Sequence, residues 1–372
     1  MFLPVISWKT GFEIELMMPR GASRADLAAR VAARHGGRVE RFFHPQSEPS
    51  KVAGKPSFEN LTLGFRALDA EGVPVASFVD DLTLQAGLQK TAPPRPGWYR
   101  IVSDDGRLLQ LMMRHGDARC ELETALTPLA ALFGTQMEHH DGGMIRVVDE
   151  RKVSVAIGAP LPGERERPCE IVTVPIGERH GEILSGLMAD AIAENCTIPS
   201  ESATHVHFDA APLANAGAVA ALVRVLWKHG DALKRLVGFN PNCVRLGRWP
   251  EALPALTETE AFRTLDWTAA QAELMKTGLT KYCDYNLLNF VSDNARKFTF
   301  ELRVLPTSMS VEPVLFAAAL FEAILRWAIS PGAAEAPLPG SLGGLIGALD
   351  LAEDVERHWV GKAFTMPHGD GR

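Results

Sequence analysis

The sequence predicts an α+β fold built on an antiparallel sheet, and three observations carry that prediction. Short stretches such as GFEIEL, THVHFD and TFELRV alternate apolar with ionisable residues, the period-two pattern of a strand with one packed and one polar face. Turn-forming DAEG, SDDG and DNAR stand between strand-like stretches, as in hairpins. Segments with helical spacing, NAGAVAALVRVLWKHGDALKRLV between strand stretches and PVLFAAALFEAILRWAI after the last of them, point to helices covering one face of the sheet. A parallel sheet buried on both sides would make its strands continuously apolar, and these are not.

In GFEIEL (residues 11–16), Phe12, Ile14 and Leu16 share one face, and Glu13 and Glu15 the other. Ser23 with Asp26 opens a helix, SRADLAARVAARH, that Gly36-Gly37 closes. GRVERFFH then reads as a short strand and PQSEPSKVAGKPS as a polar, proline-rich loop. From Phe58 to about Arg114 the chain reads as short strands, with DAEG and SDDG as hairpin turns and KTAPPRPG as a loop; residues 44–142 thus form an inserted, mostly β module. MIRVVDERKVSVAI and CEIVTVPI are the next strand candidates, joined by the charged loop PLPGERERP. RHGEILSGLMADAIAENC follows as a helix with Ile183, Leu187, Ala191 and Ile192 on one face. After the strand ATHVHFDA comes a long helix with Val219, Leu222, Val223, Leu226 and Leu233 in register. YNLLNFVSD and KFTFELRVLP pair as a hairpin around DNAR, and Pro313 stands near the start of the next helix, where proline is favoured. Residues 331–372 read as a loop, an amphipathic helix near LDLAEDVERHW, and a tail.

At 372 residues with 46% apolar and 22% charged residues, the chain can bury a real core. A net charge of −7 gives no basic footprint for nucleic acid or an anionic membrane. Small molecules or peptides are the expected partners, and a homo-oligomer is compatible with the sequence. Five scattered cysteines without a C-x-x-C pair read as reduced thiols. With no signal peptide and no stretch that spans a bilayer, the expected location is the cytoplasm.

An isolated E-x-E is most simply a solvated sheet face, an isolated H-x-H or E-x-R likewise, and EHHDGG at 138–143 a solvated loop. Four strands with the same habit change the balance. His205 and His207 share a face in THVHFD, Glu301 and Arg303 share one in TFELRV, and Glu170 stands beside Ile171 in CEIVTVP. Carboxylates gathered without cations repel, so a shared face with Glu13, Glu15, Glu170 and Glu301 predicts a divalent ion, with Arg303 as charge balance. Oxygen-rich donors with one imidazole suit Mg²⁺ or Mn²⁺, and an arginine there is a fork for phosphate or carboxylate.

This ordered set resembles the amidoligase family of the carboxylate–amine ligase superfamily, relatives of glutamine synthetase and glutamate–cysteine ligase. GFEIEL is similar to the family's G-x-E-x-E strand, CEIVTVP to its E-I-V-[ST]-x-P, and THVHFD to its H-V-H strand. YNLLNF is similar to its Tyr and Asn segment, and TFELRVLPTSMSVEPV to its terminal E-[FL]-R before the last long helix. IRVVDERKVSV singles out Asp149 as a further match, while residues 44–142 have no counterpart. The resemblance implies a single catalytic ligase domain over 1–372, with a half-barrel of antiparallel strands and helices on its outer face. It further implies an ATP-dependent ligase that joins a carboxylate to an amine through an acyl phosphate. Glu13, Glu15, Glu170, His205 and Glu301 are then metal ligands, and Arg303, His205 and His207 catalytic. Arg245 and Arg248 would hold ATP phosphates or an acidic substrate, and Asn289, less so Tyr285, would position substrate; a solvated arginine or a core asparagine is the alternative. The rival readings are a metal-dependent amide hydrolase, for which the later histidines His229, His358 and His368 are badly spaced, and a non-catalytic binding protein on the same scaffold.

Overall fold

The computed structural model describes residues 3–49, 57–103, 105–243, 246–292 and 297–365. It mixes helices with antiparallel strands, and the chain divides into two compact units. The first comprises Met1–Glu13, Pro175–Met188 and Ser202–Arg372; the second comprises Ile14–Val174 and Ala189–Glu201. The strands are β1 (Thr10–Met17), β2 (Val39–Pro49), β3 (Ser57–Leu68), β4 (Pro74–Val79), β5 (Tyr99–Ser103), β6 (Glu138–His140), β7 (Met144–Val148), β8 (Ser154–Pro160), β9 (Pro168–Thr173), β10 (Ala203–Asp209), β11 (Tyr285–Asn286) and β12 (Thr299–Pro306). Among the described residues no helix is long and apolar enough to cross a membrane, and none of the five cysteines is in a disulfide.

In the first unit the strand order is β11-β12-β10 and then the start of β1. The apolar alternation of β12 and β10 does the packing: Phe300, Leu302, Val206 and Phe208 are fully buried, and the rings of Phe208 and Phe300 lie 6.2 Å apart. The helix Glu312–Ala328, with a proline in its first turn, packs on β10, and the helix Ala216–Val237 packs on β12. Asn215 caps the latter, its side chain accepting from the Ala218 amide at 3.1 Å, and Val219, Leu222, Val223, Leu226 and Leu233 all face inward as their spacing predicts. The β10–β12 register slips once. Val206 faces Leu302 and Thr204 faces Leu305, so Arg303 and Val304 together oppose His205. Such a bulge re-aims side chains next to a site.

In the second unit the order from β1 is β9-β4-β3-β5-β8-β7-β6, with β2 beside β3. Because β2 pairs with β3 from Ser57 to Ala67, β4 and β5 must share the other edge of β3, at opposite ends. β3 is therefore a fork. Between Leu61, which pairs with β5, and Phe65, which pairs with β4, the Leu63 carbonyl takes its hydrogen bond from Arg24 Nε at 3.0 Å. Arg24 is fully buried, donates also to the carbonyls of Arg165 and Pro168, and stacks 4.7 Å from the Trp98 ring centroid. It belongs to the helix Arg24–Arg34, whose Ser23–Asp26 capping box is present and which packs on β3 and β4.

Several expectations are corrected. PQSEPS is not all loop: β2 continues through Pro45 to Pro49, which its position with β3 as sole strand partner among the described residues permits, since an edge strand tolerates proline. SDDG is no hairpin turn, because Asp105 caps the helix Gly106–His115 by accepting from the Arg107 amide. A second helix, Leu122–Leu132, follows in the segment expected to be mostly β, and the two helices pack together. MIRVVDERKVSVAI is two strands, β7 and β8, with Asp149 in the turn. The charged PLPGERERP loop is buried at Arg165, Glu166 and Arg167, and the guanidiniums of Arg165 and Arg167 cap backbone carbonyls. In the helix His180–Ala193, Ile192 points outward, while Leu184 and Met188 join Leu187 and Ala191 inside. YNLLNFVSD supplies only the two residues of β11 before a one-turn helix, Leu288–Val291, and DNAR lies outside the described residues. EHHDGG forms the exposed strand β6 and a 3₁₀ turn, with His139 Nε2 3.5 Å from Glu123. The C-terminal loop holds a helix of its own, Leu342–Ala348, before the expected one at Glu353–Thr365.

Candidate active site

The polar faces of β1, β10 and β12 are buried rather than solvated. Glu13 is 8% exposed, His205 and His207 7% each, and Glu301 3%. Four ionisable side chains at that depth are costly unless each finds a partner. In the first unit they find one another. Glu13 Oε2 lies 3.2 Å from His205 Nδ1 and 3.2 Å from His207 Nε2. Glu301 Oε1 lies 3.5 Å from His205 Nδ1 and 3.7 Å from His207 Nε2.

Neutral and cationic groups hold these carboxylates from behind. Asn286 and Asn289 both donate to Glu301 Oε2, at 2.7 and 3.0 Å, and Arg303 donates to Oε1 at 2.6 Å. Lys297 donates to Glu13 Oε1 at 2.7 Å. Burial alone would raise the Glu13 carboxyl; Lys297 and the two histidines outweigh it and hold the group well below its usual range. Burial works the same way on Glu301, where His207, Arg303 and His205 prevail and bring it down to about 2. Burial lowers Arg303, and the two carboxylates more than restore it. Glu13 and Glu301 are therefore held ionised, which is what a cation ligand requires.

One atom of the group is left over. His207 Nδ1 meets the Thr299 hydroxyl at 3.0 Å, whereas its buried Nε2 makes no hydrogen bond, although two carboxylates flank it. The ligand atoms of Glu13, His207 and Glu301 lie within 4.8 Å of one another. Two carboxylates and an imidazole at that spacing have the donor chemistry of a divalent-metal centre.

The second unit holds its own acidic group. Glu15, Glu170 and Asp81 offer oxygens within 4.8 Å of one another, Glu15 at 4% exposure. Val79, just before the Asp80-Asp81 pair, stands opposite Glu170 in the β4–β9 register. Asp81 is thus brought in from the strand end. Arg165 fixes that turn, ion-pairing with Asp80 and donating to the Asp81 carbonyl at 2.8 Å.

Of the residues expected from sequence, Glu13, His205, His207, Glu301, Arg303 and Asn289 come together in the first unit, and Glu15 and Glu170 in the second. Arg248 is not among them: it stacks 4.7 Å from the Trp227 ring and faces Asp231 at 3.6 Å. Arg245 lies outside the described residues. Tyr285 is a core residue, its hydroxyl donating to the Gly230 carbonyl at 2.7 Å. Asp149 closes the β7–β8 turn by accepting from the Arg151 and Val153 amides. Asn286, Lys297, Thr299 and Asp81 had not been singled out. Asn286 and Lys297 flank motifs already recognised, YNLLNF and KFTFELR, and the Asp pair after VASFV was the one available signal for Asp81.

Acids, imidazoles and an arginine buried on antiparallel strands have the chemistry to face cations and anionic groups. A family model described as "putative amidoligase enzyme" matches residues 7–325, and the chain belongs to this family of ligase-type enzymes. The match also runs through 44–142, where the separate motifs had found no counterpart. No curated protein and no solved structure matches the chain.

Proposed function

We propose that the protein is an ATP-dependent ligase that joins a carboxylate to an amine through an acyl phosphate, with Mg²⁺ or Mn²⁺ as its metal and an amino acid, peptide or other small metabolite as substrate. The observation that carries this reading is the buried Glu13–His207–Glu301 group, with an imidazole nitrogen turned to two ionised carboxylates, in a chain of the amidoligase family.

Glu13, His207 and Glu301 would hold a divalent ion, with His205 beside them, and Glu15, Glu170 and Asp81 offer a second oxygen-rich group. The ion supplies positive charge that offsets the phosphates of ATP. Arg303 contributes a guanidinium whose buried Nε has no hydrogen-bond partner, leaving it free to take an anionic oxygen. Asn286 and Asn289 keep Glu301 in one orientation, and Lys297 does so for Glu13. The protein does little covalent work: it positions and neutralises, which is what phosphoryl transfer asks of it. The half-barrel form of the sheet and a cytoplasmic setting are part of this reading, the latter in keeping with five cysteines outside any disulfide.

The test is to incubate the purified chain with ATP, Mg²⁺ or Mn²⁺ and pools of amino acids, polyamines and short peptides. ADP release that requires both a carboxylate and an amine is expected, and it should disappear in Glu301→Gln. Metal-dependent cleavage of amides without ATP would replace this reading with the hydrolase, and tight substrate binding without turnover would replace it with a binding protein.

A further inference from the structure

We propose that Thr299 is a positioning residue that fixes His207 as a metal ligand; the inference rests on the metal reading above. Thr299 stands at the start of β12, two residues before Glu301, on the same face. In the β10–β12 register Glu301 is directly opposite His207 and Thr299 is opposite Asp209, so Thr299 meets His207 on the diagonal, within reach of its ring. Thr299 Oγ1 lies 3.0 Å from His207 Nδ1.

That contact decides what the other nitrogen presents. A neutral imidazole has one N–H and one lone pair. An imidazole that ligates a cation is neutral, with a lone pair on the binding nitrogen and its proton on the other, and the nitrogen placed to bind here is Nε2, 3.2 Å from Glu13 Oε2 and 3.7 Å from Glu301 Oε1. The geometry assigns the proton to Nδ1, donated to the Thr299 hydroxyl, and the lone pair to Nε2. Without a cation the same nitrogen can carry a second proton toward the two carboxylates, which is how the histidines hold Glu13 and Glu301 low; a bound divalent ion would take that proton's place. Histidines that bind metals are commonly oriented through their other nitrogen, and loss of such a partner costs roughly 10–100-fold in metal affinity. The Thr299 hydroxyl, free to donate its own proton elsewhere, can fill that role.

The experiment compares the unaltered chain with Thr299→Val, which keeps the shape and removes the hydroxyl, and Thr299→Ser, which restores it. Mn²⁺ binding is followed by calorimetry, and the His207 tautomer by nitrogen-15 NMR of the Mg²⁺-loaded chain, with His207→Gln used for assignment. Thr299→Val should weaken Mn²⁺ binding by roughly 10-fold or more, Thr299→Ser should restore it to within about threefold, and the unaltered chain should carry its proton on Nδ1. Equal Mn²⁺ binding by Thr299→Val and the unaltered chain overturns the role of Thr299 alone. A proton on Nε2 in the unaltered chain does the same. If the unaltered chain binds no Mn²⁺, the metal reading fails whatever the tautomer proves to be.

Discussion

Arg303 donates one guanidinium nitrogen to Glu301 and has a buried Nε without a partner, so its value lies in the shape of a fork more than in its charge. Arg303→Lys should therefore lower ligand-dependent ADP release by roughly 100-fold, the scale of losing one aimed donor, while circular dichroism and melting stay near those of the parent. Unchanged turnover would remove Arg303 from the machinery. The residues of the first unit's group were legible for a simple reason: Glu13, His205, His207, Glu301 and Arg303 lie on strands whose period of two names the face they share. Asp81 was not, because it follows the end of β4, where no periodicity reaches. Neither was the depth of the group. Alternation says that two glutamates share a side, and a solvated side and a buried one have the same pattern.

At the scale of elements, β3 forks, and Arg24 closes the gap in its second edge. Replacing Arg24 by Leu would leave the carbonyls of Leu63, Arg165 and Pro168 in a dry interior with fewer donors. Stranding buried acceptors costs about 1–3 kcal/mol each, so a loss of about 3 kcal/mol in urea denaturation is expected. A loss below about 1 kcal/mol would mean that water reaches the fork. The same region shows why part of the fold was hidden. Ser, Asp and Gly serve turns and helix starts alike, so SDDG reads equally as a hairpin or as the cap it is at Asp105. Pro128 inside the helix Leu122–Leu132 conceals that helix from any reading that treats proline as a stop. Where a signal has one meaning, as with the Ser23–Asp26 box or Asn215 before its helix, sequence and structure agree.

At the scale of the whole molecule, a metal bound only by the folded chain stabilises it by mass action, about 2.7 kcal/mol at one hundred times the dissociation constant. The melting temperature should rise with the logarithm of Mn²⁺ concentration, and Glu301→Gln should flatten that rise; an equal rise in the variant would send the ion elsewhere. Stability should also depend on pH through three histidines, His180 and His229 buried and His358 half-buried. Burial lowers His180, His229 and His358 below their ordinary value of 6.5. Above pH 6.5 both folded and unfolded chains keep these rings neutral and the shift contributes nothing. Below it the unfolded chain takes up protons that the folded chain refuses, so stability falls as pH drops. Denaturation midpoints across that range check the sign, and His180→Phe, whose ring would still pack edge-on to Phe12, should reduce the slope.

Glu13 and Lys297 touch across 284 positions of chain, and β1 waits for β10 and β12 to complete the first unit's order. A ribosome adds roughly 5–20 residues per second, so Glu13 emerges tens of seconds before the histidines' strand and Glu301 can both join it. Through that interval β1 can already pair with β9, but Glu13 lacks Lys297 and its neighbour Glu301. Catalytic competence is thus among the last properties the chain acquires during synthesis, and a nascent chain stalled before Thr299 would have folded parts but would lack the Glu13–His207–Glu301 group.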